Sequence, residues 1–312
     1  MPSPASVRHP LALGVLCALG AGLLWGLVFV APLIFANVAP ASLALGRYLA
    51  FGLVALVLAG TDRPRLAALT RADWKRAVAL TLVGNFVYYG CLAAALQQAG
   101  GPLPTLLIGT LPVVIAVCAN LTSPDLPWRR LVPPLLAIAA GLALVHAQEA
   151  GAAPGDGFAA GLALAVGAVA CWTWYPLANA DWLRRHPRLS PTTWSTAQGL
   201  ATLPLAVAGF AVLLAVQPAG RIFGADPAAY VAGMAVLGLG ASWAGTLLWN
   251  RASQLLPPAL TGQLIVFETL AALAYLYFYA GRGPTFFEKA GITLLLCGVL
   301  LGVRAVRSAQ RQ

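Results

Sequence analysis

The stretch Ala95-Leu-Gln-Gln-Ala-Gly-Gly-Pro102-Leu-Pro-Thr-Leu-Leu-Ile-Gly-Thr-Leu-Pro112 has a counterpart in Arg251-Ala-Ser-Gln-Leu-Leu-Pro257-Pro258-Ala-Leu-Thr-Gly-Gln-Leu-Ile-Val-Phe-Glu268. An offset of about 156 lays Pro102 on Pro258 and Pro112 on Glu268. Pro40 to Arg47 matches Pro191 to Gln198 at an offset of 151, and Trp25 matches Trp172 at 147. All three offsets lie near half of the 312 residues, so the chain reads as two copies of one unit, 1–150 and 151–312.

At about twenty residues per crossing, the apolar stretches fall at 11–36, 40–60, 76–98, 102–121, 131–148, 157–180, 191–216, 228–250, 258–280 and 286–306. Each half holds five. An odd number of crossings makes the second copy enter from the opposite face. The expected fold is therefore an all-α membrane protein of ten transmembrane helices in two inverted five-helix repeats, a plan that forms a site near the midplane between the halves.

Charge sorting supports both the count and the orientation. With the N-terminus inside, the inner segments carry Arg8; Arg63, Arg65, Arg71, Lys75 and Arg76; Arg129 and Arg130; Arg184, Arg185 and Arg188; Arg251; and Arg304, Arg307 and Arg311. Those are 15 of the 19 basic residues, while the outer segments hold only Arg221, Arg282 and Lys289. By the positive-inside rule both termini are cytoplasmic.

Composition excludes the common soluble classes. The chain is 60% hydrophobic and 9% charged, with mean hydropathy +0.82, whereas about a quarter of a soluble protein is charged. A net charge of +10 would suit nucleic acid, but these cations form short loop clusters that meet anionic lipid head groups. The expected partners are the lipid bilayer and a small molecule, with no nucleic acid and no required oligomer. The first apolar run contains Trp25 and Pro32 and lacks a small-residue cleavage site, so it reads as a retained helix. The five cysteines all fall inside crossings without CxxC spacing, which argues against disulfides or a metal site. No P-loop, HExxH or GxSxG motif occurs. Neither enzymatic activity nor a cofactor is expected.

A charge at mid-bilayer costs several kcal/mol, roughly 2.5–3.5 on insertion scales, and two residues incur that cost. Arg47 lies about seven residues into the second crossing and Glu268 about ten into the ninth, from the opposite face. At 1.5 Å per residue their depths differ by only about 5 Å, so an ion pair is one reading. The other has Glu268 taking up a proton or meeting a substrate ammonium.

Trp172, Tyr175 and Asn179 share one face of the sixth crossing, and Trp243, Thr246 and Asn250 one face of the eighth. Asn85 with Tyr88 or Tyr89, Trp25 with Phe29, and Gln263 with Phe267 add to the set. Their polar members avoid lipid, so these faces are expected to line a shared interior where rings stack on rings and amides orient a polar head. The bland alternative is ordinary interhelical bonding. Trp74, Trp128, Trp182 and Trp194 sit at inner helix ends and Tyr275, Tyr277 and Tyr279 at an outer end, which reads as interfacial belt. Gly22/Gly26, Gly157/Gly161 and Gly298/Gly302 have the spacing for close helix approach within one chain.

Leu24-Trp25-Gly26, Arg47-Tyr48, and the pairing of Pro102 or Pro258 with Pro112 or Glu268 resemble the drug/metabolite transporter superfamily, specifically its EamA-type exporters. Cys171-Trp-Thr-Trp-Tyr-Pro176 and Gly26-Leu-Val-Phe-Val-Ala-Pro32 look most like the YddG aromatic amino acid exporter branch. Thr269 departs from that pattern, since many relatives carry Glu-Pro there. The resemblance implies a multi-pass protein of the bacterial inner membrane that exports aromatic and other hydrophobic amino acids by alternating access, with Pro32, Pro112 and Pro176 as flexible points. Export of purines, thiol amino acids or organic cations is the alternative within transport. A membrane enzyme or scaffold is the alternative outside it.

Overall fold

The computed structural model describes residues 4–35, 37–99, 107–122, 127–146 and 157–309. Among these residues every regular element is helical. In order they are α1 (Pro4–Ile34), α2 (Pro40–Ala59), the short α3 (Arg63–Ala67), α4 (Arg71–Thr81), α5 (Tyr88–Ala99), α6 (Leu111–Thr122), α7 (Trp128–His146) and α8 (Phe158–Arg185). Then come α9 (Pro191–Val216), the short α10 (Ala219–Phe223), α11 (Pro227–Val236), α12 (Gly245–Leu255), α13 (Pro258–Leu264), α14 (Val266–Ala280) and α15 (Phe286–Ala309). Two π-helical stretches, Leu82–Val87 and Leu237–Ala244, join α4 to α5 and α11 to α12 as continuous rods.

Every predicted crossing coincides with helix over its described residues. By length and composition seven helices can span a membrane: Pro10–Ala31, Ala41–Ala59, Phe158–Arg185, Pro191–Val216, Pro227–Leu255, Pro258–Ala280 and Phe286–Ala305. The predicted crossings at 76–98, 102–121 and 131–148 are helical but not among the seven. Leu111–Thr122 is apolar and shorter, and α7 opens on Arg129 and Arg130. Residues 102–106, 147 and 148 lie outside the described residues.

Local chemistry sets the starts. Proline stands in the first turn of α2, α9, α11 and α13, where the N–H it lacks has no intrahelical partner to lose. The Thr70 hydroxyl accepts from the Asp73 amide while Asp73 accepts from the Thr70 amide, closing a reciprocal cap on α4. At the other end of the chain Gly281 closes α14 with φ 61°, a left-handed turn that glycine adopts without steric cost.

Two helices are interrupted in the same way. At Thr110 the backbone bonds run Thr110 N–H to Leu107 O and Val113 N–H to Thr110 O; at Ile265 they run Ile265 N–H to Gly262 O and Glu268 N–H to Ile265 O. These breaks stand 155 residues apart, as do the starts of the π stretches at Leu82 and Leu237. The two breaks and the two π stretches thus share one spacing, a residue shorter than the 156 that lays Pro102 on Pro258. Thr269 in place of proline does not straighten this helix, because the interruption lies upstream at Ile265. Of the three expected flexible points, only Pro176 is mid-helix; Pro112 is the second residue of α6 and Pro32 lies in the last turn of α1.

α1 packs along α12 and α14, α8 along α5 and α6, α2 along α9, and α7 along α15. Glycine permits the closest approaches. A β-carbon on Gly26 would lie 2.7 Å from the Ala271 β-carbon and 2.9 Å from the Ala272 amide nitrogen, and one on Gly298 would lie 2.9 Å from the Pro134 carbonyl. Both pairs of small residues therefore pack within one chain. Outward faces are apolar, with Leu16, Val57, Leu136 and Val212 more than half exposed, as a lipid-facing surface requires.

Candidate functional site

Where α1, α5, α8 and α12 converge, aromatic side chains form one connected group. The Tyr88 ring stacks on Trp172 with centroids 4.9 Å apart, and Trp172 stacks on Tyr175 at 5.1 Å with planes 6° apart. Trp25 meets Trp172 edge-on at 6.1 Å and Trp249 at 5.2 Å. Tyr88 and Trp172 are partly exposed, whereas Trp25, Tyr175 and Trp249 are buried. Edge-to-face and offset contacts of this kind add to what burial contributes, so the group is rigid and keeps its partly exposed rings in place.

Polar groups fix the surroundings. The Tyr175 phenol donates to Gln198 Oε1 at 3.0 Å, with Thr246 also in reach. Trp194 Nε1 donates to Asn179 Oδ1, and Asn179 Nδ2 donates to Asn250 Oδ1, each at 2.8 Å. Trp243 Nε1 donates to the Thr196 hydroxyl at 3.1 Å. Along α8 exposure falls from the partly open Trp172 to 4% at Tyr175 and 0% at Asn179. Along the α11–α12 rod it falls likewise from Trp243 to 7% at Thr246 and 0% at Asn250. Both gradients close toward the end that carries Arg184, Arg185 and Arg251. At that level Ile115, Pro176, Leu177 and Trp249 border a gap of about 10 Å³, far too small for an amino acid.

Arg47 and Glu268 are both partly exposed, and Arg47 stands over the Tyr48 ring at 5.4 Å. Arg47 Nε donates to the Ser242 hydroxyl at 2.8 Å, so its direct partner is a serine in the second π stretch. The ion-pair reading is not met: no contact within 4 Å joins the two among the described residues.

The remaining predicted residues separate into two sets. Asn85 is partly exposed in the first π stretch, and Tyr89 packs with Tyr48 and Phe86 beside it. Gln263 stands apart from the aromatic contacts: fully buried, its amide abuts Gly302 of α15, with neither amide atom bonded among the described residues. Trp194 departs from the belt reading, being 0% exposed and bonded to Asn179. Trp249, Gln198 and Ser242 join the site without having been anticipated. Trp249 was legible, since it lies three residues beyond Thr246 on the same helical face.

An apolar exterior, helices long enough to span lipid and a polar aromatic interior define a multi-pass helical membrane protein. The model of the EamA-like transporter family matches residues 12–145. The chain is 45% identical over 305 residues to inner membrane protein YtfF of Escherichia coli (strain K12), covering 94% of this chain and 95% of that protein. A solved crystal structure, 19% identical, superposes with a TM-score of 0.72 over 96% of this chain and 98% of its own, a likeness of fold alone. The chain belongs to the EamA-like transporter family and is a multi-pass inner-membrane protein.

Proposed function

We propose that this protein exports amino acids, preferring aromatic and hydrophobic side chains, by alternating access between two inverted halves, 1–150 and 151–312. The substrate ring stacks against Trp172 and Tyr88, its carboxylate meets Arg47 and its ammonium meets Glu268. The single observation that carries this reading is the partly exposed Tyr88–Trp172 stack, in a protein whose two mid-crossing charges, Arg47 and Glu268, form no direct pair among the described residues. Arginine suits the carboxylate because its guanidinium is a fixed, always charged fork of donors.

The shared offset of 155 supports the inverted halves, as does the pattern of contacts. Exchanging first-half helices for their second-half counterparts turns the α1–α12 contact into α8–α5 and α1–α14 into α8–α6, while α2–α9 and α7–α15 map onto themselves. Closure toward the basic, cytoplasmic end supports an outward-facing state. Flux of radiolabelled phenylalanine from loaded proteoliposomes tests the substrate: release well above protein-free vesicles is expected, and its absence overturns the assignment. Glu268 among aromatic rings would also suit a quaternary ammonium ion; block by tetraethylammonium without phenylalanine release would transfer the assignment to organic cations.

A further inference from the structure

We propose that the groove between α1, α14 and α15 binds one acyl chain of an anionic glycerophospholipid whose phosphate rests on Lys289. α14 and α15 are consecutive, yet they touch little, because α14 packs along α1 and α15 along α7. The space left between them is a groove of about 310 Å³, lined by Leu23, Phe267, Leu270, Ala274, Ile292 and Leu296 among others. Its lining is apolar and it opens sideways, so it takes an alkyl chain and offers nothing to a polar solute.

The head group is specified by charge. Lys289 stands three residues before Ile292 and seven before Leu296, so all three share one face of α15. Leu296 then lies about 10 Å below Lys289 along the helix, the relation of an acyl segment to its phosphate. Arg282, the other cation at this turn, is held by Glu288 through two bonds of 3.0 Å. Lys289 is exposed and carries no carboxylate partner among the described residues. The exposed rings of Phe278, Tyr279, Phe286 and Phe287 mark the same turn as the membrane boundary. A lysine there extends its ammonium to phosphate level while its stem lies on apolar surface. This groove is separate from the aromatic group, and lipid binding in it does not depend on what that group recognises.

Native mass spectrometry of the full chain, titrated with phosphatidylglycerol or phosphatidylcholine of equal chain length, tests it. One retained phosphatidylglycerol with about fivefold preference is expected, the scale of a single interfacial lysine. Lys289→Glu removes the preference and Lys289→Arg keeps it, while Ala274→Phe, which fills the groove, lowers retention of both lipids. Equal retention by the unaltered protein, or preference surviving in Lys289→Glu, overturns the proposal. A lipid-free dimer abolished by Ala274→Phe also overturns it, by giving the groove to a second copy.

Discussion

Trp172 is held between Tyr88 and Tyr175, stacked on the first at 4.9 Å and on the second at 5.1 Å. One of its neighbours is partly exposed and the other is buried, so this tryptophan sits at the boundary between an accessible layer and a sealed one. Trp172→Ala is expected to lower phenylalanine flux at least about tenfold, the scale of one lost stacking interaction and the contact area around it, with a modest fall in melting temperature. Trp249→Ala empties fully buried volume and should cost about 3–5 kcal/mol. Flux and thermal unfolding on the same two variants check this: equal destabilisation by both would show Trp172 to be a core residue.

In the proposed site Arg47 takes the substrate carboxylate and Glu268 its ammonium. Arg47→Gln should weaken phenylalanine transport by about 10–100-fold, the worth of a charge-assisted hydrogen bond, and leave phenethylamine, which lacks the carboxylate, nearly unaffected. Glu268→Gln should weaken both, since both carry the ammonium. Competition assays with the two compounds distinguish these outcomes, and equal loss for both compounds in Arg47→Gln would contradict the assignment.

Packing across the halves is tested at glycine. Gly26→Val would force its side chain into the backbone of Ala272, and overpacking of this kind costs about 1–3 kcal/mol. Gly90→Ala meets nothing within 4 Å and should be neutral. Melting temperatures in detergent give the comparison, and an unchanged value for Gly26→Val would show that α1 and α14 are free to separate.

Asp73 lies outside the crossings, at the inner end of α4. Its burial raises the carboxyl pKa, but bonds from the Thr70 hydroxyl and amide, with the field of His186, outweigh burial and hold it below the usual 3.8. Arg188 stands 3.9 Å away. A depressed pKa stabilises the folded state above the unfolded value, so this contribution is complete above pH 3.8 and is lost as pH falls below it. Asp73→Ala should lower stability at pH 7 by about 1–2 kcal/mol through the lost cap and flatten the acid limb of the melting profile. A variant profile parallel to the original at every pH would refute the linkage.

Helix positions were legible because they follow from the solvent each segment must face. The tertiary partners were not. Trp194 beside a polar loop reads as an interfacial anchor until Asn179 is seen to take its N–H. Gln263 reads as cavity lining because any amide in a crossing should avoid lipid, yet burial against Gly302 serves that requirement equally well.

The π stretches hold Asn85 on one side and Ser242 with Trp243 on the other. Each contains a surplus residue relative to the α-helix around it. Shifting that surplus by one position screws the adjoining segment through about 100° and 1.5 Å, with no proline to bend and no backbone bond left open to lipid. A membrane helix equipped in this way can turn a side chain from one neighbour to another while both of its ends stay anchored.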